Sequence, residues 1–313
     1  MPRSALNPKP PVITVDEDAL LTTVSPESVI GALEHAFRKP PAMIPRQRIE
    51  VNGGDFLIMP AVGPDDFGIK IITVAKERVK GAPLVQGRYV LFSGESLAPV
   101  GSLEAGALTA IRTAGVSALA TKHLARKDSR RLVIFGAGVE AREHLRFMLS
   151  VRSIQQVRII SRTPSNASGL AAYAQTLGLD AATGTLEDVS GADIICTCTT
   201  AVTPLFPGSL LSNGVHVNAI GTHRPAEREL DTEAICRARV VVESREAALR
   251  EAGELCVPIS EGVLDASHII ADLSEALARS VRRSDDDITV FKSVGLAFED
   301  LVVAAAICKQ VPA

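Results

Sequence analysis

The sequence predicts an α/β protein that combines a doubly wound parallel sheet with a second, α+β domain. Two observations predict the parallel sheet. An apolar strand at 132–135 runs through a glycine turn into a helix, and further apolar segments follow at intervals towards the C-terminus. A third observation predicts the other domain, because residues 43–92 show short strands with no helical pattern between them. A chain of 313 residues is long enough for two domains.

The composition narrows the class of protein. Hydrophobic residues make up 46% and charged residues 22%, as in globular proteins with a large core. The net charge of −3 provides no basic footprint for nucleic acid, and no apolar run approaches the ~20 residues that span a bilayer. Residues 1–11 are interrupted by prolines and contain no apolar leader segment, so we expect a cytoplasmic protein.

The N-terminal third begins with a strand and a helix and continues as a sheet. Ser25 is placed to cap a helix that starts at Pro26 and ends before Pro40. A helix rich in alanine and glycine follows the sheet at 103–126 and leads into the parallel domain. Between them, the turns indicate antiparallel pairing of strands at 47–51, 55–59, 68–75 and 88–92.

Three cations in this region are candidates for a substrate site. Arg46 stands at the start of a strand, Lys70 lies inside the apolar segment 67–74, and Arg112 lies in the long helix. A buried lysine needs a partner, and a bound carboxylate would be one. The residues leave a second interpretation open, in which strand alternation turns Lys70 towards solvent.

The stretch 131–145 indicates a dinucleotide site. Gly136 permits a tight turn after the strand, Gly138 has no side chain to keep a pyrophosphate from the backbone, and Ala141 permits close packing of helix on strand. The helix that follows would point its free N–H groups and its positive dipole end at the phosphates. This pattern is the fingerprint of a Rossmann-type domain.

The residues after the second parallel strand indicate which dinucleotide would bind. An enzyme that prefers NAD usually places a carboxylate at the end of this strand, 157–160, for the ribose 2′-hydroxyl. This chain has Ser161, Arg162 and Thr163 there, which suit a 2′-phosphate. We therefore expect NADP(H) to be preferred, with NAD(H) as an alternative; Arg162 could also be a solvated surface arginine.

The rest of the chain continues the alternation of strands and helices. Buried strands are predicted within 191–200, 214–221, 238–242 and 287–295. The loop that contains His223 follows one of them, at the end of the strand where doubly wound folds keep their ligands. A helix at 296–308 lacks a polar face, so we expect it to be buried and to return to the first domain.

The cysteines and histidines do not indicate a metal. The five cysteines have no metal-ligand spacing, and Cys196 and Cys198 lie in a strand-like run where they are expected to pack as small apolar groups. The six histidines form no close pair. We therefore expect no metal site.

Six motifs in order resemble the ornithine cyclodeaminase and μ-crystallin family. They are Met59-Pro60-Ala61, Gly68-Ile69-Lys70, the segment 108–114, the segment 136–141, the segment 218–221 with Arg228-Glu229-Leu230-Asp231, and the segment 291–295. The resemblance covers nearly the whole chain. It implies a homodimer in which a Rossmann domain, residues 119–294, is inserted between a substrate-binding and dimerisation domain, residues 1–118, and its returning C-terminal helix, 295–313.

The resemblance also implies roles for individual residues. Arg46, Lys70 and Arg112 would hold the substrate carboxylate, which reverses the solvent-exposed interpretation of Lys70. Gly136 and Thr163 belong to the cofactor site by their place in the fingerprint. The resemblance implies a further set that lines the cofactor: Thr113, Gly138, Val139, Arg162, Thr199 and Ser293.

One residue departs from the ornithine cyclodeaminases. The resemblance implies an aspartate two residues after the strand 218–221, where it would handle the amine of the substrate, but this chain has His223. A neutral imidazole attracts no ammonium group, which argues against cyclodeamination by the usual route. The loop, with Arg224-Pro225, resembles the imine reductase and μ-crystallin branch.

The leading hypothesis is an NAD(P)H-dependent reductase of a small α-imino acid, cyclic or linear, with a ketimine such as 1-pyrroline-2-carboxylate as the model substrate. The three cations would orient the carboxylate, and His223 would donate a proton to the imine nitrogen, position a water or simply fill space. Two rivals stay open. One is a lyase of the ornithine cyclodeaminase type that releases ammonia, and the other is a non-catalytic, NADP-dependent binder of small carboxylates.

Overall fold

The computed structural model describes residues 12–76 and 82–310, which divide into two compact units. The first unit contains the residues up to Ala32, Pro40–Arg112 and the segment from Leu296 onward, and the second contains Leu33–Lys39 and Thr113–Gly295. The predicted domain boundaries fall after residues 118 and 294, whereas the two units divide after Arg112 and after Gly295. The first division therefore lies six residues earlier than predicted, inside a continuous helix. The proline-interrupted segment 1–11 lies outside the described residues.

The first unit is built on a six-stranded sheet. The strand order is β1-β6-β5-β4-β3-β2. The strands are β1 (Ile13–Val15), β2 (Gln47–Val51), β3 (Gly54–Val62), β4 (Asp66–Ala75), β5 (Val85–Ser93) and β6 (Pro99–Glu104). The antiparallel pairing predicted for 43–92 is confirmed. The sequence did not reveal β6, which pairs antiparallel with β5 and parallel with β1 at the edge of the sheet.

The two faces of this sheet differ. One face is buried and packs against helix α10 (Ala297–Cys308). The opposite face stays partly accessible although most of it is apolar, and we call it the open sheet face; Thr73, Gln86 and Arg88 also lie on it. Register places on it Ile49, Val51, Phe56, Ile58, Val62, Phe67, Ile69, Ile71, Val90 and Phe92. The rings of Phe67 and Phe92 stack there, with centroids 5.0 Å apart.

The second unit is built on an eight-stranded sheet in which every described pairing is parallel. The strand order is β13-β12-β14-β11-β10-β7-β8-β9. The strands are β7 (Arg131–Phe135), β8 (Gln156–Ile160), β9 (Asp180–Thr183), β10 (Ile194–Thr197), β11 (His216–Ala219), β12 (Arg239–Val242), β13 (Ile269–Asp272) and β14 (Thr289–Lys292). From β7 the chain continues to β8 and β9 on one side of β7, and then crosses to β10 on the other side. The topological switch point therefore lies between β7 and β10. The predicted doubly wound sheet is confirmed.

Helices connect these strands. The first are α1 (Glu17–Thr23), α2 (Pro26–Arg38) and α3 (Ala105–Leu124). Those of the second unit are α4 (Val139–Val151), α5 (Pro164–Thr176), α6 (Thr232–Arg237), α7 (Arg245–Glu251), α8 (Gly253–Ser260) and α9 (Leu273–Ala278). Helix α3 begins two residues after the predicted 103, because 103 and 104 complete β6. Within the described ranges, no helix has both the length and the apolar character needed to cross a bilayer.

Helix α10 is buried and belongs to the first unit, as predicted. Its first turn also contains two fully buried acids, Glu299 and Asp300, which the apolar pattern did not single out. The amino end of a helix stabilises negative charge, so the position suits both acids. Their partners are described below.

Candidate active site

The glycine turn after β7 has the geometry that its sequence predicts. Gly136 has a φ of +105°, in the left-handed region, and its N–H donates to the Ile160 carbonyl of β8 at 2.8 Å. A Cβ on Gly136 would lie 2.3 Å from the Cys198 carbonyl oxygen, which follows β10. Gly136 is therefore required both for its conformation and for the close approach of the β10 loop.

Gly138 is different, because open space surrounds it. It precedes helix α4 with a φ of −94°, and no side-chain hydrogen bond caps the helix. A Cβ added there would meet no described non-neighbouring atom within 4 Å. The first N–H groups of α4 therefore face a space next to exposed Val139, which is the arrangement that a pyrophosphate needs. On this observation the residues fit a dinucleotide.

Arg162 and Thr163 lie on the loop between β8 and α5, beside the glycine turn. Both side chains are exposed. Thr163 is the N-cap of α5 but makes no side-chain capping bond, and residues 161–163 contain no carboxylate. The loop therefore offers an anion the Arg162 cation, the hydroxyls of Ser161 and Thr163, and an uncapped helix end.

Two of the predicted cofactor-lining hydroxyls are held by buried glutamates. The Thr199 hydroxyl donates to Glu229 Oε1 at 2.7 Å, and the Ser293 hydroxyl donates to Glu243. Glu243 also accepts from the N–H groups of residues 294 and 295, at 3.0 Å and 2.8 Å. Thr113, at the start of the second unit's share of α3, is buried.

Glu229 was not a predicted site residue, although it belongs to the Arg228-Glu229-Leu230-Asp231 motif. It is fully buried, and burial raises its pKa to about 7, while Lys292 and the hydroxyls of Thr197 and Thr199 act in the opposite direction. Its backbone N–H donates to Glu254 Oε1 at 2.9 Å. A motif residue with no obvious surface or core role is the only signal that the sequence offers for it.

Lys292 and Glu254 form a second buried pair in this unit. Lys292 Nζ lies 3.0 Å from Glu254 Oε2 and donates to the Thr222 carbonyl oxygen at 2.8 Å and to its hydroxyl at 3.1 Å. The Thr222 hydroxyl in turn donates to Glu254 Oε1 at 3.1 Å. The residue before His223 is thus fixed from two sides, whereas His223 itself is half-buried on the loop after β11.

These residues share one edge of the parallel sheet. Thr199, His223 and Ser293 follow the carboxyl ends of β10, β11 and β14, which are neighbouring strands. The glycine turn and the Arg162 loop follow β7 and β8 at the same edge. The fold therefore brings the predicted cofactor residues of the second unit together at the place where doubly wound sheets bind ligands.

The predicted cations Lys70 and Arg112 meet in the first unit. Lys70, on β4, is fully buried, and its Nζ lies 2.8 Å from Asp300 Oδ2 and donates to the Thr109 hydroxyl at 3.2 Å. Arg112 Nη1 donates to Glu299 Oε2 at 3.2 Å, and Arg112 Nε lies 3.5 Å from Asp300 Oδ1. Two cations of β4 and α3 thus face two acids of α10.

Burial dominates the electrostatics of Lys70. It lowers the pKa of Lys70 to about 8, Asp300 opposes the change, and Arg112 and Arg46 lower the pKa further. Arg46, half-buried just before β2, therefore contributes to the same electrostatic environment. The three predicted cations act on one another within the first unit.

The structure corrects one expectation about Lys70 and shows a partner for it. Strand alternation does not turn Lys70 to solvent, because its position on β4 belongs to the face that α10 covers. Its partner within the chain is Asp300, and the role of Lys70 towards a substrate carboxylate stays a prediction. Glu299 and Asp300 are not among the predicted site residues; an acidic pair inside an otherwise apolar helix is the signal that could have identified them.

The fold and these sites define an α/β dinucleotide-binding protein whose other unit carries buried cations. A family model for the ornithine cyclodeaminase/mu-crystallin family matches residues 12–312, and the chain belongs to this family.

Named relatives cover most of the chain. It is 43% identical over 257 residues to a Delta(1)-pyrroline-2-carboxylate reductase of Bacillus cereus, which covers 79% of each chain. The structure of Thermococcus litoralis Delta(1)-pyrroline-2-carboxylate reductase in complex with NADH and L-proline superposes with a TM-score of 0.90 at 34% identity, over 96% of this chain and 97% of that one. An archaeal alanine dehydrogenase dimer with bound NAD has a TM-score of 0.89 at 29% identity, over 96% and 95%.

Proposed function

We propose that this protein is an NAD(P)H-dependent reductase that converts a small α-imino acid, such as 1-pyrroline-2-carboxylate, into the amino acid. The observation that carries the proposal is the buried pair Lys70 and Arg112 in a chain that also has an open, uncapped helix end after Gly138. An imino acid has a carboxylate for the cations, and its C=N bond is a hydride acceptor. The relatives named as reductases of such a substrate support the same reaction.

The residues of the first unit bind and orient the substrate. Lys70 and Arg112 would hold its carboxylate, with Arg46 adding positive charge. Asp300 and Glu299 fix both cations before the substrate arrives, because Asp300 contacts Lys70 and Arg112 and Glu299 contacts Arg112. A site that is already ordered loses less entropy when it binds its ligand.

The residues of the second unit would hold the cofactor. The α4 N–H groups would bind the pyrophosphate, and Thr199 and Ser293 would lie along the nicotinamide half. When bound, the reduced nicotinamide supplies the hydride. His223 is our candidate for the group that holds a proton for the imine nitrogen, since its loop follows β11 at the ligand-binding edge of the sheet.

NADP(H) is our proposed choice of cofactor. The exposed Arg162 and Thr163 hydroxyl, in a loop without a carboxylate, suit a 2′-phosphate. The relative from Thermococcus litoralis was solved with NADH, so NAD(H) is the alternative that a direct comparison of the two cofactors would decide.

The open sheet face is our proposed homodimer contact. Its apolar side chains include Ile49, Val62 and Ile71, which are 45%, 57% and 39% exposed. A largely apolar face of this kind is typical of a protein–protein contact, and the alanine dehydrogenase relative is described as a dimer. A second copy of the chain is the occupant we propose. A cytoplasmic location stays a prediction from the sequence.

The proposed reaction can be tested by mixing purified protein with NADPH or NADH and an imine, and by following the absorbance of the reduced nicotinamide. We expect 1-pyrroline-2-carboxylate to consume the cofactor stoichiometrically and to yield proline. The matched control is 1-pyrroline, which has the same C=N bond without a carboxylate and should react much more slowly. Release of ammonia from ornithine without net cofactor change would identify a lyase instead. Cofactor binding with no turnover of any imine would identify a binder.

A further inference from the structure

Glu229 joins the ends of two neighbouring strands. Its Oε1 accepts from the Thr199 N–H at 3.0 Å and from the Thr199 hydroxyl at 2.7 Å. Its Oε2 accepts from the Thr197 hydroxyl at 2.7 Å and from the Gly221 N–H at 2.8 Å. In its ionised form this one carboxyl group therefore receives four donors, from the segment that follows β10 and from the segment that follows β11.

These bonds determine how Thr199 can meet a ligand. Its hydroxyl hydrogen is directed at Glu229, and its oxygen accepts from the Ala201 N–H at 3.0 Å. A hydroxyl has one hydrogen and two lone pairs, so one lone pair remains. Half-buried Thr199 can therefore offer a ligand an acceptor, which a carboxamide N–H or a ribose hydroxyl would match.

Gly221 shows how tightly this region is packed. A Cβ on Gly221 would lie 2.1 Å from the Thr199 carbonyl oxygen and 2.5 Å from Glu229 Oε1. Its φ is not in the left-handed region, so space alone requires glycine. The chain continues directly into Thr222, which Lys292 and Glu254 hold, and then into His223.

We propose that Glu229 is a positioning residue of the cofactor site. It orients Thr199 as a hydrogen-bond acceptor for the nicotinamide half of the dinucleotide and fixes the start of the His223 loop. This inference deepens the proposed function and rests on it. It gives the Arg228-Glu229-Leu230-Asp231 motif a role at the cofactor site, while Asp231 in the same motif caps α6 by accepting from the Ala234 N–H at 2.8 Å.

The test variant is Glu229→Gln, which keeps size and removes charge. The amide has a single acceptor oxygen, and its NH₂ group would face two of the four donors. The matched control is Asp193→Asn. Asp193 is also a buried carboxylate of this sheet, and it accepts from the N–H groups of Arg130 and Arg131 at 2.8 Å and 2.9 Å and from Arg126 at 2.7 Å. It lies at the opposite, amino-terminal end of β10.

The readouts are the melting temperature without ligand and the dissociation constant of NADPH from its fluorescence on binding. We expect both variants to lower the melting temperature and only Glu229→Gln to weaken NADPH binding, by about tenfold, the effect of losing one or two oriented hydrogen bonds. Equal NADPH affinity in the two variants would overturn the proposal. Wild-type protein that binds neither NADPH nor NADH would overturn the proposed function as well.

A second pair of variants covers the case in which Glu229→Gln does not fold. Thr199→Ser keeps the hydroxyl and should bind NADPH within about twofold of wild type, whereas Thr199→Val removes it and should bind about tenfold more weakly. Where Glu229→Gln does fold, the combined variant Glu229→Gln/Thr199→Val should bind NADPH no more weakly than the weaker single variant, because both changes remove the same acceptor. If Thr199→Val binds NADPH like wild type, Thr199 is not the acceptor and the inference fails.

Discussion

Gly136 and Gly138 are two residues apart and should respond differently to alanine. Gly136→Ala places a side chain at a φ of +105° and 2.3 Å from a carbonyl oxygen, so we expect a loss of stability of about 1–3 kcal/mol. Gly138→Ala meets only open space and should leave the melting temperature almost unchanged. It should nevertheless weaken NADPH binding at least about tenfold, because the methyl group occupies space for the pyrophosphate. Thermal denaturation and NADPH titration would measure both, and normal NADPH affinity in Gly138→Ala would contradict the assignment.

Lys70 is predicted to serve the substrate and not the cofactor. We expect Lys70→Ala to reduce turnover of 1-pyrroline-2-carboxylate at least about a hundredfold, because the substrate carboxylate loses an oriented cation. NADPH affinity should stay within about twofold. Steady-state kinetics and NADPH titration would test this.

The control for Lys70 is Lys76→Ala. Lys76 also pairs with an acid, Glu50, at 2.6 Å, but both side chains are exposed, so its removal should change neither stability nor turnover measurably. Turnover that survives in Lys70→Ala would show that the carboxylate is held elsewhere. Lost NADPH affinity in that variant would contradict the prediction, because Arg112 Nε lies 3.5 Å from Asp300 Oδ1 and still compensates this buried acid.

Arg162 tests the choice between the two dinucleotides. Arg162→Asp should weaken NADPH binding far more than NADH binding, because an aspartate repels a 2′-phosphate and can accept from a 2′-hydroxyl. Arg283→Asp is the control, since Arg283 is an exposed arginine before β14 and the change in net charge is the same. Equal losses for NADPH and NADH in Arg162→Asp would remove the 2′-phosphate assignment.

The second unit buries two neutral histidines, one on a strand and one on a helix, that should make the protein sensitive to acid. Burial lowers the pKa of His216 on β11 from 6.5 to about 3 and that of His144 on α4 to about 4. Below pH 6.5 both histidines bind a proton in the unfolded chain but stay neutral in the folded chain, so the free energy of unfolding falls as the pH decreases. Glu229 acts in the opposite direction, because its pKa is raised from 4.5 to about 7 and the folded chain keeps its proton in that interval.

Between pH 6.5 and 4.5 we therefore expect the unfolded chain to bind about one proton more than the folded chain. The free energy of unfolding should then fall by about 1.4 kcal/mol per pH unit as the pH decreases. Denaturant titrations at several pH values would measure it. His216→Gln removes one of the two histidines and should flatten the slope by about one proton. A slope that is identical in wild type and His216→Gln would contradict the buried, neutral state of His216.

Helix α10 shows that a sequence pattern can predict the burial of a helix without predicting which of its residues form ion pairs. Its apolar composition predicted burial correctly, but the same composition concealed Glu299 and Asp300, which pair with Arg112 and Lys70. A hydrophobic pattern measures the average environment of a helix. It does not report which acid meets which cation, because those partners lie in other elements.

Across the protein, the open sheet face is the feature that a dimer would bury. Ile71→Lys places a charge in its centre and should convert a dimer into a monomer, as measured by light scattering after size-exclusion chromatography. Val263→Lys is the control, because Val263 is 53% exposed in the second unit. A wild-type protein that is monomeric, or an Ile71→Lys variant that stays dimeric, would exclude this face.

The sequence by itself determined the features that a short window encodes. The strand 132–135 and the turn at Gly136 and Gly138 are set by consecutive residues, and their conformations agree with the prediction. The parallel sheet also follows from local patterns, since each apolar segment followed by a helix makes one crossover. Family membership followed from the order of such local motifs.

Only the tertiary structure decided the partners of the buried charges. Lys70 and Asp300 are 230 residues apart, and Thr199 and Glu229 are 30 apart. Their pairing depends on strand order and on where α10 contacts the first sheet, and no local pattern contains either. A charged residue in an apolar segment indicates that it needs a partner, because an unpaired charge is costly to bury. The fold decides which residue is that partner, because the energy of an ion pair depends on distance in space and not on separation along the chain.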